Sequence, residues 1–479
     1  MRADGFVERA QALLARECPV IATWGLMAAL WLMVGGGFAA DSWLTLLGGR
    51  EIVAHGLPHH DSFAIMTSGH AWVDQQWLAQ LFFYGVYGLG GLGLVSRVNV
   101  VLFAAAVGLG LLVARRSGAS PRRVLLCAAP ALLLSATFVR AQVFSQVLFV
   151  VLLALLVKES RRPTKRVLLA FPLLALWANL HGAVVVGAAL VALLGAAELL
   201  TALQDRRRAL ARPLLLLVAP WLCLFASPYG LSLATYYRTT FGNPAFAKYI
   251  TEWKPPAFNS LWGVIFFTTA FFTVAVVARR AKDFNLFELG TLALTLVGGL
   301  MAVRSVIWFV YAVLVLLPAP LERLWPVRTR PDEQSVPFRA ALSTAAIGAC
   351  LFLVFRPAHG IVPQWPPAAG RAVARAAAAD PSLRVFSNEE YADWLLFEQP
   401  SLKGRLAFDG RWEILPSAQM TRVIHFLHQE TATWEQPTAG YRLLVLDPKT
   451  NRRLTRTYSH RPGVRVIYRD RRVVVFERT

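Results

Sequence analysis

The residues best suited to chemistry follow a long apolar run near the N-terminus. In the stretch FAADSWLTLLGGREIVAHGLPHHDSF, residues 38–63, the apolar run ends at Ala40 and an isolated carboxylate, Asp41, follows directly. His59, His60 and Asp61 lie further along the same stretch. Ionisable groups at membrane depth are costly and usually functional. Asp41 could therefore act as a general base or, together with a second acid, bind a divalent cation.

The sequence leaves alternatives open for this group of residues. Asp is a favoured N-cap, so Asp41 could instead cap a surface helix that begins at Ser42. His60 and Asp61 follow the turn GLP, and they could contact an acceptor or a metal, or only shape that turn. The second acid is not identified, and the candidates for it are Glu51, Asp61, Asp74 and Glu252.

A second set of polar and aromatic residues lies at the predicted outer ends of apolar runs: Trp77, Arg140, Asn179, His181, Lys248, Glu252 and Arg304. The basic members of this set could hold a lipid phosphate, or they could reach ordinary headgroups. Asn179 and His181 could equally bond a turn, and Glu252 could fix a loop. An acid that faces several cations at the lipid surface suits transfer of a group from a lipid phosphate, because fixed cations stabilise the phosphate as it leaves.

The composition indicates that membrane-spanning helices position these residues. The 479-residue chain has a mean hydropathy of +0.48, with 56% hydrophobic and 16% charged residues, whereas soluble proteins carry about 25% charged residues. The net charge of +21 is confined largely to short loops between apolar runs, at 115–123, 158–166, 206–212, 279–282 and 323–339. Such clusters mark cytoplasmic loops, and they argue against a nucleic-acid partner.

The charge distribution sets the predicted number of spans. We expect about eleven transmembrane helices, near 20–40, 93–114, 123–139, 143–157, 167–181, 183–203, 213–227, 261–278, 286–303, 305–322 and 339–356, because this count puts every basic loop and the N-terminus on one side. The glycine-rich segment Trp77–Gly91 then becomes a helix on the outer membrane surface. The first exterior loop accordingly runs from 41 to 92 within a transmembrane domain of residues 1–355.

The amino-acid composition of the chain changes after Phe355. Residues 356–380 read as a proline-rich linker with a short helix at Arg371–Ala379, and 381–479 as a small soluble α/β domain on the exterior. We expect strands at LRVFSN, GRLAFDGR and YRLLVLD, and a hairpin that turns at Arg469-Asp470. Asp409 and Arg411 in the sequence FDGR could pair with each other or close over the first exterior loop.

The acid directly after the first span, the long first exterior loop, the span count and the outer C-terminal domain together resemble the GT-C superfamily of integral-membrane glycosyltransferases. The segments WVDQQWLAQ, RAQVFS, WANLHG, SPYG and FDGR also look like a bacterial branch of that superfamily. The resemblance implies a polytopic α-helical GT-C-like fold. It further implies that Asp41 is the general base, or a metal ligand, of an inverting transfer from a polyprenyl-phosphate-linked sugar.

The expected function is therefore a membrane glycosyltransferase of the cytoplasmic (inner) membrane, whose active site lies on the periplasmic or extracellular face. Its expected partners are the lipid-linked sugar donor, membrane lipids, and a lipid, glycan or protein acceptor. A divalent cation is possible but is not required by the sequence. Two other classes remain open: a non-catalytic GT-C-like subunit of an envelope assembly, and a lipid or glycan transporter.

Overall fold

The protein is described from a computed structural model that covers residues 2–134, 138–204, 209–326, 335–356 and 365–479. Most of these residues are α-helical. The first ten helices are α1 (Arg2–Arg16), α2 (Cys18–Val34), α3 (Ala40–His55), α4 (Trp77–Arg116), α5 (Pro121–Leu133), α6 (Gln142–Arg161), α7 (Ala170–Leu180), α8 (Val184–Gln204), α9 (Ala211–Cys223) and α10 (Ser232–Phe241). The next ten are α11 (Pro244–Tyr249), α12 (Leu261–Arg280), α13 (Leu286–Met301), α14 (Val306–Leu316), α15 (Pro318–Leu324), α16 (Val336–Phe355), α17 (Pro367–Ala379), α18 (Glu389–Glu398), α19 (Ser417–His428) and α20 (Arg452–Ser459).

Five of the described helices are long and apolar enough to cross a membrane: α4, α6, α8, α12 and α16. Two bent pairs raise the number to seven if each is one span, namely α1 with α2, bent by 75°, and the helix starting at Val303 with α15, bent by 52°. Each of the eleven predicted spans overlaps a helix. Several of these helices, such as α7 with 11 residues and α9 with 13, fall short of the roughly 20 residues that cross a bilayer core. The count of eleven therefore stays a prediction.

The predicted boundary between Trp77–Gly91 and the following span coincides with a break inside α4. Gly90 and Gly91 leave helical geometry, and Gly91 has a φ of 64°. This is the left-handed region, which glycine adopts at little cost. The glycines therefore divide α4 into an aromatic first part and a spanning second part. Whether the first part lies on the membrane surface stays a prediction.

Helix α3, which carries Asp41, is buried rather than lying at the surface as the capping alternative assumed. Every residue from Ser42 to Gly49 is buried, because α3 packs between α4 and α18. A Cβ at Gly49 would lie 2.3 Å from the carbonyl oxygen of Gln80. The absence of a side chain at this position therefore lets α3 and α4 approach closely.

The C-terminal part of the chain forms a four-stranded sheet with the order β1 (Val385–Ser387), β2 (Leu443–Leu446), β4 (Val474–Arg478), β3 (Val464–Arg469). β1 and β2 are parallel, and β4 is antiparallel to both β2 and β3. The predicted hairpin is thus present. The predicted strand GRLAFDGR contributes only isolated bridges at Leu406, and α20 was not predicted. Part of the predicted linker, 357–364, and the basic residues 206–208, 328 and 330 lie outside the described residues.

The first exterior loop joins this sheet. Leu406 forms a parallel bridge with Val385 on one side and with Ala64 on the other, and the amide of Ile65 donates to the carbonyl oxygen of Leu406 at 2.8 Å. Helix α3 is attached as well, because the Arg50 guanidinium donates to the carbonyl oxygens of Leu396 and Phe397 at the end of α18, both at 2.7 Å. The C-terminal sheet is therefore fixed directly above the helix that presents Asp41.

Candidate active site

One cavity of about 430 Å³ brings together residues that are far apart in the sequence. Five of the predicted site residues line it: Asp41, Arg140, His181, Glu252 and Arg304. They come from the start of α3, the segment before α6, the turn between α7 and α8, and the loops that precede α12 and α14. The ends of separate helices thus converge on a single space.

Asp41 lies in the first turn of α3, but it is not the capping residue. The Ser42 hydroxyl accepts a hydrogen bond from the amide of Ala39 at 2.9 Å and donates to the carbonyl oxygen of Val139 at 2.7 Å. The Asp41 carboxylate is therefore free to face the cavity, and its side chain is 52% exposed. The Ser42–Val139 bond also brings the segment that carries Arg140 beside Asp41.

Arg140 links two carboxylates of the cavity. Its Nε lies 3.3 Å from Asp41 Oδ2, and its Nη1 donates to Glu252 Oε1 at 2.5 Å. Burial disfavours the guanidinium charge, yet Asp41 and Glu252 together raise the pKa of Arg140 above its ordinary value. Arg140 is therefore a permanent cation that lies between two carboxylates of the cavity.

Arg304 is the cation of the cavity that is available to an anion. Its guanidinium lies 4.5 Å from the ring centroid of Trp253, and within the described ranges it forms no salt bridge. The amide of Val303 donates to the carbonyl oxygen of Lys254 at 2.9 Å, which ties the two loops together. Stacking on an indole holds a guanidinium in place without neutralising it.

His181 is a neutral imidazole with one nitrogen already committed. Its Nδ1 accepts from the amide of Ala183 at 3.2 Å and lies 3.0 Å from the Ser145 hydroxyl, which itself accepts from the Trp177 indole. A neutral ring whose Nδ1 accepts carries its proton on Nε2, so that nitrogen is a hydrogen-bond donor.

The residues present do not fit a divalent cation at this place. The guanidinium of Arg140 already bridges Asp41 and Glu252, the two carboxylates that would share a metal. No group of three His, Cys, Asp or Glu side chains with the arrangement of a metal site occurs among the residues that the structure describes. Arg140 supplies the positive charge in the position that a metal would need.

The other predicted site residues do not line this cavity. Trp77 donates its indole N–H to Asn179 at 2.8 Å, and Asn179 donates to the carbonyl oxygens of Ala175 and Ala226. Trp77 and Asn179 thus tie the start of α4, the end of α7 and the segment after α9 to one another. Lys248 is exposed beside the ring of Tyr249. His60 is exposed, with Nδ1 3.2 Å from the carbonyl oxygen of Gly69.

Asp61 has a structural partner instead of an acceptor or a metal. It is buried and binds Arg411, and it also accepts from the amide of Phe63 and from Thr67. Arg411 also bonds Asp409 and lies 4.2 Å from the ring centroid of Trp72. Both alternatives considered for FDGR therefore occur, since Asp409 and Arg411 pair and also close over the first exterior loop.

The other candidates for a second acid are engaged elsewhere. Glu51 pairs with Lys403 at 2.7 Å, and Asp74 is buried and accepts from Gln80 at 2.9 Å. Glu252 is the candidate that reaches the cavity. Sequence reasoning missed a further carboxyl group, Glu413, which lines the cavity with Gly410 and Trp412. Burial raises the pKa of Glu413 to about 7.

A second cavity of about 350 Å³ adjoins the first, and the two share Arg140, Gln142, Glu252 and Arg304. Apart from these shared residues its lining is mainly apolar: Phe103, Leu134, Phe138, Val143, Trp262, Val303 and Ile307, together with Asn99, Gln146 and Thr251. Asp41 and His181 belong to the first cavity alone. The first cavity carries more polar and charged side chains than the second, so the two arginines lie where this more polar cavity meets the apolar one.

No protein-family model matches the chain, and no curated protein matches it. Solved structures do match. The oligosaccharyltransferase of Archaeoglobus fulgidus, tethered to an acceptor peptide, aligns with a TM-score of 0.52 and 12% identity over 90% of this chain and 69% of that one. The same archaeal enzyme, AglB, has been solved with an inhibitory peptide and a dolichol-phosphate, and aligns equally well.

The arabinofuranosyltransferase AftD from Mycobacteria aligns with a TM-score of 0.51 and 17% identity over 95% of this chain. This chain spans 39% of the length of AftD. Both neighbours are membrane glycosyltransferases of the GT-C type. The predicted GT-C-like architecture is thereby confirmed, and the chain is a multi-pass membrane protein with the fold of the GT-C glycosyltransferases.

Proposed function

We propose that this protein is a membrane glycosyltransferase that moves a sugar from a polyprenyl-phosphate donor to an acceptor at the outer face of the cytoplasmic membrane. The observation that carries the proposal is the meeting of the two cavities at Arg140 and Arg304, with Asp41 on the polar side only. The apolar cavity suits the first units of a polyprenyl chain, and the polar cavity suits the sugar and the acceptor.

The donor phosphate belongs between the two cavities in this proposal. Arg304 stacks on Trp253 and has no carboxylate partner within the described residues, so it offers its guanidinium to the phosphate. His181 adds a neutral donor from the same cavity. The negative charge on the phosphate grows as its bond to the sugar breaks, and fixed donors that face this charge stabilise the transition state more than the ground state.

Asp41 acts on the acceptor. The acceptor oxygen attacks the anomeric carbon, its proton passes to the Asp41 carboxylate, and the bond between the anomeric carbon and the phosphate oxygen breaks. The electron pair of that bond leaves with the polyprenyl phosphate. Because the acceptor and the phosphate lie on opposite sides of the sugar, a single displacement inverts the anomeric configuration. Arg140 holds the Asp41 carboxylate in place through a contact of 3.3 Å.

The archaeal neighbour supports the choice of donor class, since it has been solved with a dolichol-phosphate, which is itself a polyprenyl phosphate. The orientation rests on the basic loops, which the positive-inside rule puts in the cytoplasm. Asp41 and the C-terminal sheet then face the periplasm or the exterior.

The direct test is binding of undecaprenyl phosphate to the purified full-length protein in lipid nanodiscs. Arg304→Gln should raise the Kd about 10- to 100-fold, because a hydrogen bond to a charged group contributes about 1.5–3 kcal/mol. Lys248→Gln is the matched control, since Lys248 is an exposed exterior cation that lines neither cavity. Equal Kd values for the parent and Arg304→Gln would refute the placement of the phosphate.

A further inference from the structure

The C-terminal sheet unit, residues 385–478, contributes a wall to the cavity that holds Asp41. Gly410, Trp412 and Glu413 line this cavity, although they follow Asp41 by more than three hundred positions in the sequence. Arg411 fixes their place. Its guanidinium is buried against Asp61 of the first exterior loop and Asp409 of its own segment, and the residues on either side of it, Gly410 and Trp412, line the cavity.

Glu413 differs from three other acids, Glu252, Asp61 and Glu51, each of which pairs with an arginine or a lysine. Glu252 binds Arg140, Asp61 binds Arg411, and Glu51 binds Lys403. Glu413 forms no salt bridge with any residue that the structure describes, and its side chain is half-buried on the cavity wall. Its internal hydrogen bond comes from its own backbone amide, and a cavity carboxyl group that is not paired with a lysine or arginine is available to a ligand.

The surroundings of Glu413 specify what kind of ligand fits. Aromatic rings make up much of the lining of the Asp41 cavity: Tyr236, Tyr237, Phe241, Phe246, Trp253 and Trp412. Flat aromatic faces cover the apolar C–H faces of a sugar ring, and carboxyl oxygens bond its neighbouring hydroxyl groups. Glu413 is absent from the lining of the apolar cavity, so it lies in the cavity that holds the transferred sugar and the acceptor in the arrangement proposed above.

We propose that Glu413 and the aromatic wall form the acceptor subsite, that the acceptor is a saccharide, and that Glu413 binds a hydroxyl group beside the attacking one. This proposal rests on the glycosyltransferase function proposed above. Glu413 would orient the acceptor for attack, and Asp41 would take the proton. The C-terminal unit thereby determines which acceptor reacts.

The test separates transfer to the acceptor from transfer to water. Membranes that contain the full-length protein at matched expression receive a radiolabelled pool of polyprenyl-phosphate sugars. Two rates are measured, the incorporation of label into native acceptors and the release of free labelled sugar. Glu413→Ala should lower incorporation about 10-fold or more, because a lost hydrogen bond and the lost orientation both act on the acceptor. Release of free sugar should stay within about 2-fold of the parent, since Asp41 and Arg304 are untouched.

Glu430→Gln is the matched control, because Glu430 is an exposed acid of the same unit that lines none of these cavities. Equal incorporation by Glu413→Ala and the parent would overturn the inference. A parallel fall of both rates would also overturn it, because this result would make Glu413 a structural residue. The incorporated label should resist protease digestion, and its appearance on peptides would rule out the saccharide acceptor. If the parent protein showed neither incorporation of label nor release of free sugar, the glycosyltransferase function itself would be refuted, and the inference with it.

Discussion

Replacement of Arg411 by Met tests how the C-terminal unit is held over the cavity. The Arg411 side chain is 1% exposed, and its partners Asp61 and Asp409 are 0% and 2% exposed. The guanidinium also lies 4.7 Å from the ring centroid of Phe63 and 4.2 Å from that of Trp72. Met fills much of the same volume but leaves two buried carboxylates without a cation.

The expected loss is about 3–5 kcal/mol in the free energy of unfolding of the C-terminal unit, the usual cost of removing one member of a buried ion pair. Pulse proteolysis in urea on the detergent-solubilised protein measures this quantity. Arg422→Met is the control, because Arg422 is exposed on α19, and such surface changes usually stay within about 0.5 kcal/mol.

A second substitution shows whether the unpaired buried charge causes the loss of stability. Asp61→Asn in the Arg411→Met background removes one of the two stranded carboxylates, so it should recover part of the lost stability. The reasoning would be wrong if Arg411→Met unfolded at the same urea concentration as the parent. It would also fail if Asp61→Asn destabilised the Arg411→Met protein further.

Three more substitutions test the burial, packing and hydrogen bonding of residues around the candidate active site. Burial raises the pKa of Asp74 to about 7, so the contribution of Asp74 to stability is fully present below its unfolded pKa and is lost as the pH rises through 7. The free energy of unfolding of the parent should therefore decline by about 3 kcal/mol between pH 5 and 8, and Asp74→Asn should abolish this decline. If the decline persisted in the urea unfolding of the variant, this assignment would be refuted. Gly49→Ala should cost about 1–3 kcal/mol by forcing α3 from α4, and an unchanged melting temperature would contradict the close packing. Arg50→Met removes two hydrogen bonds to the end of α18 and should lower stability by about 1–3 kcal/mol, whereas unaltered protease resistance would argue against this attachment.

Much of the architecture follows from local signals in the sequence. Apolar runs of helical length, basic loops on one side and the glycines before position 93 predict the helices and the break in α4. The same signals predict that Asp41, Arg140, His181 and Arg304 lie near one another, because each follows or precedes an apolar run at the same predicted face. These four residues do line one cavity.

The remaining features depend on contacts that no local pattern contains. Asp61 and Arg411 are separated by 350 positions. The sequence around Asp61 therefore does not show whether Asp61 is an exposed loop acid or the buried partner of an arginine. The same holds for α3, whose run Ser42–Gly49 has no amphipathic pattern and is buried because α18 covers it. Glu413 escaped prediction because it reaches the cavity only once Arg411 has fixed the C-terminal unit over the first exterior loop.

The central claim is that Asp41 activates the acceptor for transfer of a sugar from a lipid phosphate. Asp41→Asn keeps the size of the side chain and its place in the first turn of α3 but removes the proton acceptor. In membranes with matched expression and a radiolabelled polyprenyl-phosphate sugar pool, the account predicts that sugar transfer falls at least about 100-fold, since general-base catalysis usually contributes about 10²–10⁴-fold. Asp380→Asn, which changes an acid that lines neither cavity, should transfer at the parental rate. Parental transfer by Asp41→Asn would contradict the account.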